Sequence, residues 1–169
     1  MTTTEEPPRP TPGPAPKRGG VRLSVDEAWD TIERSHTGIL TTLRHDGVPI
    51  SLPVWFVSFD RQIYVTTPGT AKKIGRIRRD ARAAFLVESG ERWVDLKAVH
   101  LTGRATVVDD PNLLARVQAA QDEKYGAFRM ARHQMPSATR QHYGQVSALI
   151  RFEPDERIVS WENAKLFER

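Results

Sequence analysis

From residue 22 onward the apolar positions fall into two periods, and the first twenty residues follow neither. Ser24-Val25-Asp26-Glu27 has the form of a capping box, a hydroxyl followed three residues later by a carboxylate. Val25, Ala28, Trp29 and Ile32 then recur at helical spacing and predict a helix over 24–35. The period then shortens to two. Gly38 to Leu43 is apolar and β-branched, His45-Asp46-Gly47 supplies a turn, and Val48 to Phe59 predicts one long strand. Asp60-Arg61 turns the chain, and Gln62 to Thr67 returns as the third strand of a meander.

Pro68-Gly69-Thr70 breaks the sheet, and Ala71 to Arg79 predicts a short basic helix. Arg82 to Glu88 reads as a strand ending at a Ser89-Gly90 turn. Trp93 to Val108 reads as a long alternating segment bulged near Gly103. Asp110-Pro111 opens a helix that runs to Lys124 and ends near Gly126. Residues 126–144 are polar, with Phe128, Met130, His133, Met135 and Tyr143 among them; they fit a pocket cover and a packing excursion equally. Val146 to Glu153 and Arg157 to Trp161 predict two closing strands. Many short strands with few helices indicate a mainly β (α+β) barrel rather than a doubly wound sheet.

Composition divides the chain in two. Six of the 12 prolines (Pro7, Pro8, Pro10, Pro12, Pro14 and Pro16) crowd the N-terminus, where there is almost nothing apolar to bury. Residues 1–21 therefore read as a disordered Pro-rich tail, and 22–169 as one domain. Cysteine is absent, which excludes disulfides and thiolate chemistry and fits a cytoplasmic setting. No apolar run reaches the roughly 20 residues that span a bilayer, and the N-terminus lacks the apolar core of a secretory signal. Net charge is +4, a modest excess that suits anionic partners such as phosphate, nucleic acid or a polycarboxylate, but that on its own reads as a mildly basic surface aiding solubility.

The richest segment for chemistry is Tyr64 to Lys73. A strand ending in Thr66 and Thr67 passes through a tight turn with Thr70 into a helix whose first turn holds Lys72 and Lys73. Cations are misplaced at a helix N-terminus unless an anion compensates them, and free N–H groups there attract phosphate. An ordinary solvated helix start explains the same residues. Arg76 and Arg79 share a second helical face, suited to a longer anion or to a nucleic-acid patch; interleaved aromatics for the latter are missing. Ser51-Leu52-Pro53-Val54-Trp55-Phe56 places a proline inside a strand beside aromatics. This suits either a bulged edge that receives a flat ring or a plain core strand. The five histidines show no metal-ligand spacing, and no nucleophile–base pattern emerges.

Taken in order, TGILTTLRHDGVPISLPVWF, IYVTTPGTAKKIGRIRRDARAAFLVESG, LKAVHLTGRATVVDD and RIVSWENAKL resemble the pyridoxamine 5'-phosphate oxidase-like FMN-binding split-barrel superfamily. Within it they are most similar to flavin/deazaflavin oxidoreductases of actinobacterial type. The resemblance spans about residues 25–166 and implies a homodimer with cofactor sites at the interface. It implies FMN or coenzyme F420 as cofactor and hydride transfer to a small conjugated substrate, with no catalytic side chain, nucleic acid or membrane partner. Thr66, Thr67, Thr70, Lys72 and Lys73 would hold the cofactor phosphate. Arg76 and Arg79 would extend that site, and Pro53, Val54 and Trp55 would border the ring. Trp93 and Arg104 would line the groove. A non-catalytic storage or sensing module is the alternative. The chain departs from the family pattern near Gly75, where asparagine is common, and at Ala81, where proline is. It also lacks the C-terminal substrate residues of pyridoxamine phosphate oxidases proper.

Overall fold

The computed structural model describes residues 20–130, 132–137 and 147–167. The proline-rich tail, except for its last two residues, and part of 126–144 lie outside the described residues.

Helix α1 (Val25–Arg34) forms as its capping box dictates. Ser24 Oγ accepts from the Glu27 N–H at 3.2 Å, and the Glu27 carboxylate accepts from the Ser24 N–H at 2.6 Å. Its apolar face, Ala28, Trp29 and Ile32, is buried in the barrel core.

Seven strands follow: β1 (Gly38–Leu43), β2 (Pro49–Val54), β3 (Val57–Phe59), β4 (Gln62–Pro68), β5 (Arg82–Ser89), β6 (Lys97–Val108) and β7 (Ser147–Glu162). They form one antiparallel sheet in the order β2-β1-β5-β6-β7-β4-β3. Its two edges, β2 and β3, are separated in sequence only by Trp55 and Phe56. Three virtual Cα bonds reach at most roughly 11 Å, whereas the edges of a flat seven-stranded sheet stand about 29 Å apart. The sheet must therefore curl until its edges nearly meet, and no β2–β3 ladder closes the seam. This is a split barrel. The long strand expected over Val48 to Phe59 is accordingly two strands, one at each edge. Pro49–Val54 pairs with β1, Val57–Phe59 pairs with β4, and Trp55-Phe56 between them belongs to neither ladder.

Two further expectations change. Residues Trp93–Asp95 form a 3-10 turn, so β6 starts only at Lys97. The two closing strands are one, β7, which pairs with β6 along most of its length and with β4 through its first half. The Pro154-Asp155-Glu156 stretch, which separates the two expected strands, is absorbed as a bulge, where Leu101 faces Ile158 but Gly103 faces Pro154. Thr102 Oγ1 donates to Asp155 Oδ2 across it at 2.8 Å. A Cβ on Gly103 would lie 2.2 Å from the Glu153 carbonyl oxygen, so the bulge expected near this residue depends on glycine there. At the β3–β4 hairpin, Asp60 and Arg61 both take positive φ, 51° and 58°, the geometry of a two-residue primed turn.

Helix α2 (Lys72–Arg79) inserts Ile74 and Ile77 into the barrel core. Helix α3 (Pro111–Tyr125) packs on the outer face of the other half-sheet, where Val117 meets Val57, Tyr64 and Leu149. No described helix is long and apolar enough to cross a membrane.

Candidate functional site

The start of α2 has the electrostatics anticipated from its sequence. Ala71 occupies the N-cap and offers no side-chain acceptor, and the first turn carries no acid. The helix leans on β1 through two bonds. Arg76 Nε donates to the buried Thr42 hydroxyl, and Arg79 Nη2 donates to the Leu43 carbonyl, each at 2.9 Å. A guanidinium has five donors, so each arginine keeps others for a ligand. Lys73 is half-buried, and burial together with the neighbouring Arg76 pushes its ammonium below the usual lysine range.

A cleft of about 310 Å³ opens where α2 faces the β1–β2 turn, lined by Arg44, His45, Lys72, Gly75, Arg76 and Arg79. Arg44 pairs with Asp46 at 2.8 Å. Among the described residues no carboxylate pairs with Lys72, Lys73, Arg76 or Arg79. Arg44 brings its own counter-charge, so the cations open to an anion are those of α2, Lys72, Arg76 and Arg79. Arg44 and His45 are missed by sequence reasoning because their approach to α2 is non-local; the hairpin turn gives no signal of what it faces.

The threonines behave differently. Thr66 and Thr67 project to opposite faces of β4 because strand side chains alternate. Thr66 Oγ1 donates to the buried Gln121 Oε1 of α3 at 2.7 Å. Thr67 is 7% exposed. Thr70 stands exposed in the turn before α2. The Thr66 hydroxyl is thus engaged on the α3 side of the sheet, while Thr67 shares the barrel-core face with Ile63 and Val65.

The ring-border residues also divide. Val54 is a core residue. Pro53 lines a larger groove of about 700 Å³ on the outer sheet face, with Ile39, Leu86, Glu88 and Lys97 opposite Asp30, Arg34 and His36. Trp55 stacks on Tyr125 with ring centroids 4.4 Å apart and planes 1° from parallel, and it remains 40% exposed. Trp93 packs edge-on against Phe167, and Arg104 is exposed on β6; neither lines the groove or the basic cleft. Strand register sets Pro53, Ile39, Leu86, His100 and Val159 in one line across five strands. Among the described residues no cluster of His, Asp and Glu is placed to hold a metal ion.

The sequence profile of the pyridoxamine 5'-phosphate oxidase family matches residues 24–156, which takes in α1, the barrel strands β1 to β6 and most of β7. The chain belongs to the pyridoxamine 5'-phosphate oxidase family. Its split barrel is the fold of that family. A conserved hypothetical protein of Mycobacterium tuberculosis has the same fold at TM-score 0.74 and 28% identity, covering 92% of this chain and 94% of that one. An FAD-binding protein of Mesorhizobium loti aligns at TM-score 0.64 and 17% identity, over 83% of this chain and 96% of its own. The heme storage protein of Vibrio cholerae aligns at 0.62 and 16%, over 81% and 94%. No curated protein matches the sequence. The family fold thus hosts flavin binding in one such neighbour and heme storage in another, so barrel architecture alone does not select a chemistry.

Proposed function

We propose that this protein is an oxidoreductase that passes a hydride between bound FMN or coenzyme F420 and a small conjugated substrate. The observation that carries the reading is the carboxylate-free cationic cleft between α2 and the β1–β2 turn. A phosphate fits the residues present. Arg76 and Arg79 each keep guanidinium donors beyond their bonds to β1, and among the described residues no carboxylate pairs with Lys72, Arg76 or Arg79. Lys72, Arg76 and Arg79 would hold that anion, with Arg44 and His45 joining them. Trp55 offers a flat, half-open ring on which a planar cofactor would stack. When bound, the flavin or deazaflavin supplies the hydride chemistry. The chain binds it, orients it and excludes water.

The basic cleft and Pro53 lie toward opposite ends of β1, on the order of 17 Å apart along the strand. That separation favours an elongated anionic cofactor, and so F420 over FMN. The half-exposed line from Pro53 to Val159 supports a second reading of the same surface as the homodimer contact. The proposed substrate is not pyridoxamine phosphate.

Titration of the purified protein with FMN and with F420 tests the proposal, read by fluorescence. Tight binding of one names the cofactor. Binding of neither by folded protein overturns the reading. A storage or sensing role, favoured by the heme storage protein with this fold, predicts binding without turnover when a reductant and a panel of acceptors are supplied.

A further inference from the structure

Two exposed aromatic rings stand where the chain enters the fold, outside both the basic cleft and the outer groove. Trp93 and Phe167 keep 61% and 65% of their surface exposed, with ring centroids 6.5 Å apart and planes at 89°. The turn that carries Trp93 is tied to the C-terminal turn by backbone. The Asn163 side-chain amide donates to the Trp93 carbonyl at 2.6 Å, and the Asn163 N–H donates to the Leu96 carbonyl at 3.0 Å. The pair forms an open aromatic corner at the end of β7.

The first described residues point toward that corner. The Leu23 N–H donates to Ser160 Oγ at 3.2 Å, and the Val21 carbonyl accepts from the Glu162 N–H at 2.8 Å. Followed backward from Leu23 to Val21, the chain advances along β7 from Ser160 to Glu162, and Asn163 with its bond to Trp93 comes next. Twenty residues precede Val21, and the stretch from Pro7 to Pro16 holds six prolines. At the polyproline rise of about 3.1 Å per residue, the five steps from Val21 back to Pro16 cover about 16 Å. Lys17 and Arg18 lie on that path. Glu91, two residues before Trp93, has no ion pair among the described residues.

A proline-rich segment suits aromatic faces. Its rings stack on them, and its fixed φ leaves little conformational entropy to lose. We propose that Trp93 and Phe167 form a polyproline-binding site whose occupant is this chain's own segment Pro7–Pro16. Lys17 and Arg18 supply the cations that Glu91 lacks. A short tether holds the segment at an effective concentration of roughly millimolar, so a contact that is weak for a free peptide is still filled. No residue of the cofactor reading takes part, so this site stands or falls independently of it.

The test follows the indole N–H signals of the 15N-labelled full chain, with no cofactor added. The four tryptophans give four signals, and Trp93→Phe identifies that of Trp93. The probe is a synthetic peptide of residues 7–18. A full-length variant with Pro10→Ser, Pro12→Ser, Pro14→Ser and Pro16→Ser keeps length and charge. Its Trp93 signal is expected to move from the wild-type position, and added peptide to return it there. The wild-type chain is expected to bind the peptide at least about tenfold more weakly, because its own segment competes. Phe167→Ala in the serine variant is expected to weaken peptide binding, and Phe128→Ala, at a separate exposed ring, to leave it unchanged. A Trp93 signal that the peptide does not move in either chain overturns the proposal, as does equal peptide affinity in both. A wild-type Trp93 signal that shifts with protein concentration assigns the corner to a second copy and overturns it too.

Discussion

Tyr125 grips Phe56 by both of its backbone groups. The phenol oxygen accepts from the Phe56 N–H at 2.8 Å, and its proton is shared between the Phe56 carbonyl at 2.6 Å and the His36 carbonyl at 2.9 Å. Phe56 is where the chain crosses from one sheet edge to the other, so neither of its groups has a ladder partner. A helix on the outer face therefore supplies what the open seam leaves unsatisfied.

Tyr125→Phe keeps the stacking on Trp55 but strands a buried N–H. Stability is expected to fall by about 1–3 kcal/mol. Thermal unfolding would show a melting temperature lower by several degrees. An unchanged value would mean that water replaces the phenol.

Lys72→Ala removes one charge-assisted contact to the proposed anion. Cofactor affinity is expected to drop by roughly 1.5–3 kcal/mol, about ten- to a hundredfold. Thr66→Val is the matched control. It deletes the bond to Gln121, costs about 1 kcal/mol of fold stability, and leaves cofactor affinity unchanged. Parallel titration and denaturant unfolding separate the two. If Thr66→Val weakens binding as much as Lys72→Ala, the strand hydroxyl does reach the ligand.

Two glycines respond oppositely to alanine. Gly75 sits mid-helix, and a methyl group there would meet nothing within 4 Å, so Gly75→Ala is expected to stabilise by about 0.5–1 kcal/mol. Gly103→Ala meets backbone at 2.2 Å and is expected to destabilise by at least about 2 kcal/mol. Denaturant midpoints with unchanged slopes would establish both.

Glu27 links α1 to the C-terminal turn. The Lys165 ammonium at 2.6 Å, then the Ser24 N–H, hold its carboxyl down at about 2. A folded value below the unfolded one gives stability that is present above about pH 4.5 and lost as pH falls toward 2. Glu27→Gln is expected to flatten the stability profile across that window. An identical slope in the variant would show that other carboxylates carry it.

Local features are legible in the sequence. The capping box, the Asp60-Arg61 turn and the Pro111 helix start each depend on residues close in sequence, and each forms; the bulge at Gly103 is marked by its glycine, though its partner is the distant Pro154. The basic start of α2 is legible for the same reason. The break at Trp55-Phe56 is not, because it follows from closure of the whole sheet while Val54, Trp55, Phe56 and Val57 all favour strand. The continuity of β7 is hidden by Pro154, which a bulge accommodates. In the site, Lys72, Arg76 and Arg79 are identified from their own helix. Arg44 and His45 reach the cleft only through tertiary approach, and the diversion of Thr66 to Gln121 depends on where α3 docks.

The seam also governs which changes of chain length this protein tolerates. Extra residues at the Asp46-Gly47 or Ser89-Gly90 turns extend loops into solvent at small cost. A single residue added between Val54 and Val57 has no loop to enter. It must either push Phe56 off the Tyr125 hydroxyl or shift β3 by one position, turning Val57 from its buried cluster toward the opposite face. Insertions and deletions among relatives should therefore collect at the hairpin tips and avoid this two-residue crossing.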